Sequence, residues 1–313
     1  MTKQRAFRFG LQASKAASGR EWVELARKVE DLGYSTLSMP DHFVNEEFAP
    51  VPALAAAAAA TSTLRVGTLV FDNDYKHPVV LAKEAATIDV LSDGRLEFGL
   101  GAGWQKTDYD ASGIAYDEPG VRVSRFEEGL AVMRGLWGDG PFSFEGDFYR
   151  ITEMNGFPKP VQRPGPPVLI GGGSKRVLRI AGREADIVGI NPSLRAGEVT
   201  AETGRDAAEE SYLQKVEWVR EGAGDRFDDI ELHVLVFVCI VTDDRDAMFE
   251  AMAPGFGLTP DAAAHVPLAL VGTESQIIET LQERREKYGI SYVTVQGDAV
   301  DTLAPIVAKL AGT

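Results

Sequence analysis

The chain is poor in cysteine, histidine and positive charge, and each shortage excludes something. Its single cysteine, Cys239, has no intramolecular disulfide partner and suits a reducing cytosol. Lys and Arg number 32 against 47 Asp and Glu, a formal net charge of -15, which argues against bulk binding to nucleic acid or anionic membrane. An anionic ligand at a locally basic spot stays open. No apolar run approaches the roughly 20 residues that span a bilayer. Residues 1–10 lack the apolar stretch and cleavage site of a secretory signal. The 4 histidines show no metal-ligand spacing. There is no Walker A motif and no G-x-S-x-G elbow. The expectation is a cytoplasmic protein that takes a small molecule, with no nucleic-acid, membrane or metal partner.

What is present is 313 residues with 44% hydrophobic content, enough for a substantial core. Strand-like and helix-like periods alternate, which favours α/β with a parallel sheet. Strands are predicted at Phe7–Gln12, Tyr34–Met39, Leu64–Phe71, Arg95–Leu100, Val168–Ile170, Asp186–Ile190, Ile230–Val241 and Tyr292–Val295. Helices are predicted at Gly19–Leu32, Pro52–Ala60, Pro78–Leu91, Val123–Trp137, Val177–Arg183, Ala201–Glu221, Ser275–Tyr288 and Thr302–Ala311. That count fits a (β/α)8 TIM barrel, one domain over residues 1–313, with insertions at the C-terminal face of the strands. Trp104–Val121 reads as a long loop and Arg195–Arg205 as a mobile one. Residues 138–167 read as an excursion with a small hairpin, and residues 253–268 as a lid or short insertion.

Small or polar residues follow the apolar strands, where a barrel of this class places its chemistry. Asp41-His42 comes directly after strand 2. Imidazole moves protons near neutral pH, and Asp41 is placed to orient a ring N–H. The competing reading is a loop histidine that caps the next helix. Gly99-Leu100-Gly101-Ala102-Gly103 is a poor dinucleotide fingerprint: it is GxGxG, with no helix opening there. It reads either as close approach of a flat ligand or as a tight turn. Gly171-Gly172-Gly173-Ser174-Lys175-Arg176 is more specific. A buried strand delivers a Gly-rich turn to a helix N-terminus, an anion site usually for phosphate, and two cations in that first turn call for an anion. The alternative is an αL turn without a ligand. His77 is as suited to capping as to anion contact, and His233 alternates with apolar residues as a structural histidine would. A barrel aldolase or isomerase would need a catalytic Lys or Glu at a strand end; no strand end clearly offers one, and only Glu97 and Glu231, within strands, keep that reading open.

These pieces resemble a known family. Ser38-Met39-Pro40-Asp41-His42-Phe43, Val66–Val70 with Lys76-His77-Pro78, and Leu91-Ser92-Asp93-Gly94-Arg95 are similar to motifs of the bacterial-luciferase-like superfamily. So are Gly99–Trp104 with Asp108-Tyr109 and Gly113, Arg122 through Leu136, Phe157–Gln162, Ile170–Ser174 and Val271-Gly272-Thr273. Within that superfamily the chain resembles the oxidoreductases that use the deazaflavin coenzyme F420. The resemblance implies a flavin or deazaflavin at the barrel mouth. Its ring would pack on a bulge after strand 3, with a non-prolyl cis peptide at Leu69–Val70 and with Gly101 and Ala102 beside it. Gly171, Gly172, Gly173, Ser174, Lys175 and Arg176 would hold the phosphate. His42 would assist proton transfer, with Asp41 beside it. Phe43, Phe71, Trp104 and Tyr109 would give an apolar, aromatic substrate pocket. Relatives acting on glucose 6-phosphate carry a glutamate where Trp104 stands, which speaks against sugar-phosphate oxidation.

The implied activity is hydride transfer between F420 and a small organic substrate. The alternatives are an FMN-dependent monooxygenase and a non-catalytic flavin-binding protein. Homodimers are frequent in the superfamily, and one is expected here by that analogy.

Overall fold

The computed structural model describes residues 4–44 and 48–313. Its strands are β1 (Arg8–Gln12), β2 (Thr36–Met39), β3 (Arg65–Thr68), β4 (Phe71–Asp72), β5 (Leu96–Gly101), β6 (Phe142–Glu145), β7 (Arg150–Met154), β8 (Val168–Gly172), β9 (Ile187–Ile190), β10 (Glu231–Val236), β11 (Val238–Val241), β12 (Ala269–Gly272) and β13 (Ile290–Gln296). Its helices are α1 (Gly19–Asp31), α2 (Pro50–Ala60), α3 (Pro78–Leu91), α4 (Lys106–Ser112), α5 (Pro119–Trp137), α6 (Lys175–Glu184), α7 (Ala201–Arg205), α8 (Glu209–Ala223), α9 (Arg245–Phe256), α10 (Pro260–Ala264), α11 (Glu274–Tyr288) and α12 (Val300–Leu310). The fold is of the expected class, a TIM-barrel-like α/β fold of eight parallel strands with surrounding helices. Among the described residues, no helix is long and apolar enough to cross a membrane.

The chain divides into two compact units. One comprises Ser14–Lys28 and Leu37–Leu169. Here β5 pairs in parallel with β3 (Val66 opposite Leu96) and with β4 (Phe71 opposite Leu100). The single strand expected over Leu64–Phe71 is therefore two pieces, with a cis peptide bond at Leu69–Val70 between them. Thr68 replaces the interrupted ladder with its side chain. Its Oγ1 donates to the Gly99 carbonyl at 2.8 Å and accepts the Gly99 N–H at 3.1 Å.

Helix α3 starts where expected because Pro78 suits a first turn and the His77 ring accepts the Val79 N–H at 3.3 Å. Residues expected as a long loop over Trp104–Val121 contain α4 and the first turn of α5. Helix α4 has 7 residues, under two turns, too few to show an apolar period. Gly113 closes it at φ 76, a left-handed conformation that glycine adopts at little cost.

The other unit runs through Ala13, Val29–Thr36 and Ile170–Thr313. Strand β13 lies parallel to β1 and β10, and β10 to β9. Side chains alternate along these strands. Phe9, Leu11, Val293 and Val295 are buried on one face. The other face is polar and internally paired. Arg8 donates to Glu231 at 2.6 Å, the His233 ring meets Thr294 Oγ1 at 2.9 Å, and Gln296 donates to Gln12 at 3.1 Å. Burial lowers the His233 pKa to about 3, so that histidine is neutral and structural, as the sequence implied.

The β-branched run Ile230–Val241 is not one strand. It breaks at Phe237, and β11 pairs with β12 instead. Within the segment 253–268, α9 ends at Phe256 and α10 adds a second short helix. Residues of α9 and α10, with Val238, Ile240 and Val271, form a small apolar cluster of their own. The charged helix expected over Ala201–Glu221 is two helices, α7 and α8, and the expected mobile loop ends in α7.

Candidate functional site

Strand β2 ends at Met39, and Pro40 prevents its continuation, so Asp41 and His42 emerge directly from a buried strand. Local sequence suggests that Asp41 orients the histidine. The geometry assigns that job to Asp108, from α4. His42 Nδ1 lies 2.6 Å from Asp108 Oδ2. Tyr75 Oη donates to the same oxygen at 3.1 Å. Asp108 Oδ1 accepts the N–H groups of Phe43 at 3.0 Å and Val44 at 2.8 Å. The Asp108 side chain has no exposed surface. Burial opposes its ionisation, but the bonds from His42, Val44 and Phe43 outweigh burial and hold the carboxyl below its ordinary range. An ionised carboxylate only accepts, so Nδ1 carries a ring hydrogen and Nε2 is the ring nitrogen that Asp108 leaves unengaged. The His42 side chain keeps 21% of its surface exposed.

Asp41 does different work. It is buried, and its Oδ2 accepts the Asp72 N–H at 3.3 Å. Burial raises its pKa, against the Asp72 bond and the nearby Lys76 and His42 charges. Trp104 stands edge-on to His42, with ring centroids 5.7 Å apart, and is half-buried. Phe43 is exposed and stacks at 4.4 Å on Tyr75. The other two expected pocket residues belong to the core: Phe71 packs on Phe98, and Tyr109 is buried with its hydroxyl engaged by Asp72 and Asp74. Neither offers a ligand any surface in this structure.

The glycines in and just after β5 are required by the protein itself. A Cβ on Gly99 would lie 1.9 Å from the Thr68 carbonyl oxygen, and one on Gly101 would lie 2.8 Å from the Val70 side chain. One on Gly103, at φ +75, would lie 1.9 Å from Tyr109 Oη. The run Gly99–Gly103 therefore records close packing of chain on chain. Ala102 follows β5 and is half-buried.

The Gly171–Ser174 turn, in the other unit, ends β8 and opens α6. Its glycines do not have positive φ, which removes the αL reading. A Cβ on Gly172 would lie 2.4 Å from Val177 Cγ1, and one on Gly173 would lie 2.4 Å from the Pro192 backbone. Ser174 caps α6 by accepting the Val177 N–H at 3.4 Å. The first-turn amides of a helix have no intrahelical acceptor and suit an anion. Lys175 is 3.4 Å from Glu221 of α8, so its place at a helix N-terminus has an explanation without a ligand. Arg176 follows it, exposed in the first turn of α6. Lys76 pairs with Glu84 at 2.7 Å and Lys106 with Asp110 at 2.5 Å. Glu97 and Glu231 pair with Arg65 and Arg8, which makes them structural rather than catalytic carboxylates.

Sequence reasoning missed Asp108, Tyr75, Asp72 and Asp74. Asp108-Tyr109 stands among the family-like motifs, a signal that was available, although nothing local to it names His42 as its partner.

The structure thus defines an α/β protein of TIM-barrel-like fold with a carboxylate-paired histidine directly after strand β2. The model of the luciferase-like monooxygenase family matches residues 5–288, and the chain belongs to that family. It is 37% identical over 131 residues to an FMNH(2)-dependent dimethylsulfone monooxygenase of Pseudomonas putida, covering 42% of this chain and 36% of that protein. It is 32% identical over 185 residues to an F420-dependent glucose-6-phosphate dehydrogenase of Amycolatopsis mediterranei, covering 56% of this chain and 55% of that one. The matches thus span from about a third to just over half of these relatives' length. Among solved structures, an F420-dependent secondary alcohol dehydrogenase in complex with an F420-acetone adduct superposes with a TM-score of 0.78 at 18% identity, covering 97% of this chain and 99% of that one.

Proposed function

We propose that the protein is an oxidoreductase that uses coenzyme F420 and a small organic substrate, with His42 as the proton-transfer group. The observation that carries this reading is the His42–Asp108 pair, with Nε2 free of any partner among the described residues and Trp104 beside it. His42 Nε2 and the Trp104 face suit a flat heteroaromatic ring. In the other unit, the Gly171–Arg176 turn at the start of α6 suits a phosphate. When bound, the cofactor would supply the hydride acceptor or donor.

The chain's own residues do the rest. Asp108 holds the Nδ1 hydrogen, so His42 takes or gives the coupled proton at Nε2. Tyr75 and the amides of Phe43 and Val44 keep the Asp108 carboxylate ionised and immobile. Trp104 and Phe43 offer apolar surface that excludes water from the reacting edge. The F420 reading is favoured by the longer aligned stretch with the F420-dependent relative, 185 residues against 131. An FMN-dependent monooxygenase is the second reading, favoured by the higher identity to the FMNH(2)-dependent relative. Sugar-phosphate oxidation is disfavoured by Trp104, because the family resemblance implies a glutamate at that position in relatives acting on glucose 6-phosphate.

Fluorescence-quenching titration with F420 and with FMN tests the assignment. Saturable F420 binding with weak or no FMN binding is the expected result. Tight FMN binding without F420 binding replaces it with the monooxygenase reading, and binding of neither refutes both.

A further inference from the structure

A second cluster of titratable groups lies behind the Gly103–Trp104 wall, and the reaction outlined above does not use it. Tyr109 Oη sits 3.0 Å from Asp72 Oδ2 and 3.1 Å from Asp74 Oδ2. A hydroxyl has one hydrogen, so it donates to one of the two oxygens. The remaining close contact then needs a hydrogen from the carboxyl side. Asp74 is held by the Arg125 fork, Nε to Oδ1 at 2.7 Å and Nη2 to Oδ2 at 3.0 Å, and is therefore the ionised member. Arg125 also pairs with Asp117 at 2.7 Å. Asp72 is 8% exposed, and its one other side-chain bond is the Asp74 N–H on Oδ1 at 2.8 Å. Among the described residues, no cation reaches its carboxyl by a hydrogen bond.

We propose that Asp72 is a protonated carboxylic acid in the resting protein, donating to Tyr109 Oη while Tyr109 donates to Asp74, and that this chain is the positioning device for the Asp41 and Gly103–Trp104 side of the site.

Gly103 links the chain to that wall, because its Cα packs against the Tyr109–Asp72 bond: a Cβ there would lie 2.6 Å from Asp72 Oδ2. Tyr109 also packs edge-on against Tyr116 at 4.9 Å, and Tyr116 Oη donates to the Trp104 carbonyl at 3.0 Å. The Asp72 N–H is the donor to Asp41. The groups facing Asp72 are Asp41 after β2, Asp74 and Tyr75 on its own loop, and Tyr109 on α4. Arg122 of α5 stands 5.8 Å from the Tyr109 ring centroid. Two of these, Asp41 and Asp74, are carboxyls whose negative charge disfavours another on Asp72. In agreement, burial pushes the Asp72 carboxyl up to about 7, reinforced by Asp74 and Asp41 and opposed by the Asp74 N–H and Tyr109. Burial and the adjacent carboxylates also hold the Tyr109 hydroxyl far above its ordinary range, so it stays a donor. Ionising Asp72 would leave two carboxylates competing for one hydroxyl and would loosen Gly103–Trp104.

The cofactor-site reading is what gives this device a purpose, but the proton on Asp72 does not depend on it. Infrared spectroscopy of the full chain without cofactor tests it. A protonated-carboxyl C=O band should be present at mildly acidic pH and disappear as pH rises through neutrality. It should be missing in Asp72→Asn and retained at shifted frequency in Tyr109→Phe. Asparagine reproduces the protonated form, donating to Tyr109 and accepting from Asp74. Asp72→Asn should therefore fold and lose the fall in melting temperature that wild type shows as pH rises from about 5 to about 8. No band lost on Asp72→Asn, or the same pH dependence of melting in both proteins, would overturn the proposal. If neither F420 nor FMN binds while the band behaves as stated, the function reading fails and the proton assignment stands.

Discussion

Asp108→Asn is the sharpest perturbation of the site, because it changes one oxygen to an amide and removes one charge. The Oδ1 position accepts two backbone amides, from Phe43 and Val44, so the asparagine oxygen stays there. The new amide group then faces His42 Nδ1 and Tyr75 Oη. It can donate to Nδ1 only if the ring hydrogen moves to Nε2, the wrong tautomer for accepting a proton at the exposed edge. The stability cost is the charge-assisted bond to His42, about 1.5–3 kcal/mol, plus about 1 kcal/mol for the Tyr75 bond. The total is about 2.5–4 kcal/mol, and a urea denaturation series reads it as a shift in midpoint. Turnover should fall more than cofactor affinity, by roughly 100- to 10,000-fold, the range for a general acid or base. Nitrogen-15 NMR of the imidazole reads the tautomer directly and needs no substrate. The expected spectrum has the hydrogen on Nδ1 in wild type and on Nε2 in the variant. An unchanged tautomer with unchanged turnover would refute the role given to Asp108.

Other outcomes follow from the same structure. Arg125→Ala leaves the buried Asp74 carboxylate without its fork and should destabilise by about 3–5 kcal/mol in denaturant melts, with Arg125→Lys intermediate. Asp108 has a lowered pKa in the folded state, so its contribution is present above the unfolded value of about 3.9 and is lost as pH falls through the folded value. Acid unfolding followed by circular dichroism should accordingly be less steep in Asp108→Asn. Gly173→Ala should lower the melting temperature even without cofactor, because its Cβ would overlap the Pro192 backbone. Ser174→Ala should cost about 1 kcal/mol through the lost α6 cap and weaken whichever phosphorylated cofactor binds.

The sequence was most legible where signals are local. His42 stands out because a polar pair follows a buried strand, and α3 because Pro78 and His77 mark its start. The class of fold followed from alternating periods. Asp108 was not legible as the partner of His42: its helix is too short for a period, and 66 residues separate the pair. The same limit hid the Asp72–Tyr109–Asp74 chain. The glycine run at the end of β5 was legible as close approach or a tight turn, but composition does not say whether a ligand or the chain itself approaches. The β10–β11 break was invisible because Val238–Val241 is as β-branched as the strand before it. Only its pairing with β12, set by the fold around it, separates the two.

That break at Phe237 also bears on how the protein opens. Strands β11 and β12 with α9 and α10 enclose an apolar cluster, and contiguous units of this kind are where sub-global opening is to be sought. Cys239, the chain's only cysteine, lies on β11, half-buried and with its thiol pushed up to about 11 by burial. Its rate of labelling by a thiol reagent, compared with global unfolding in denaturant, would report that partial opening. Labelling of Cys239 faster than global unfolding would make it a native probe of sub-global stability; labelling at the global rate would show that the cluster opens only with the rest.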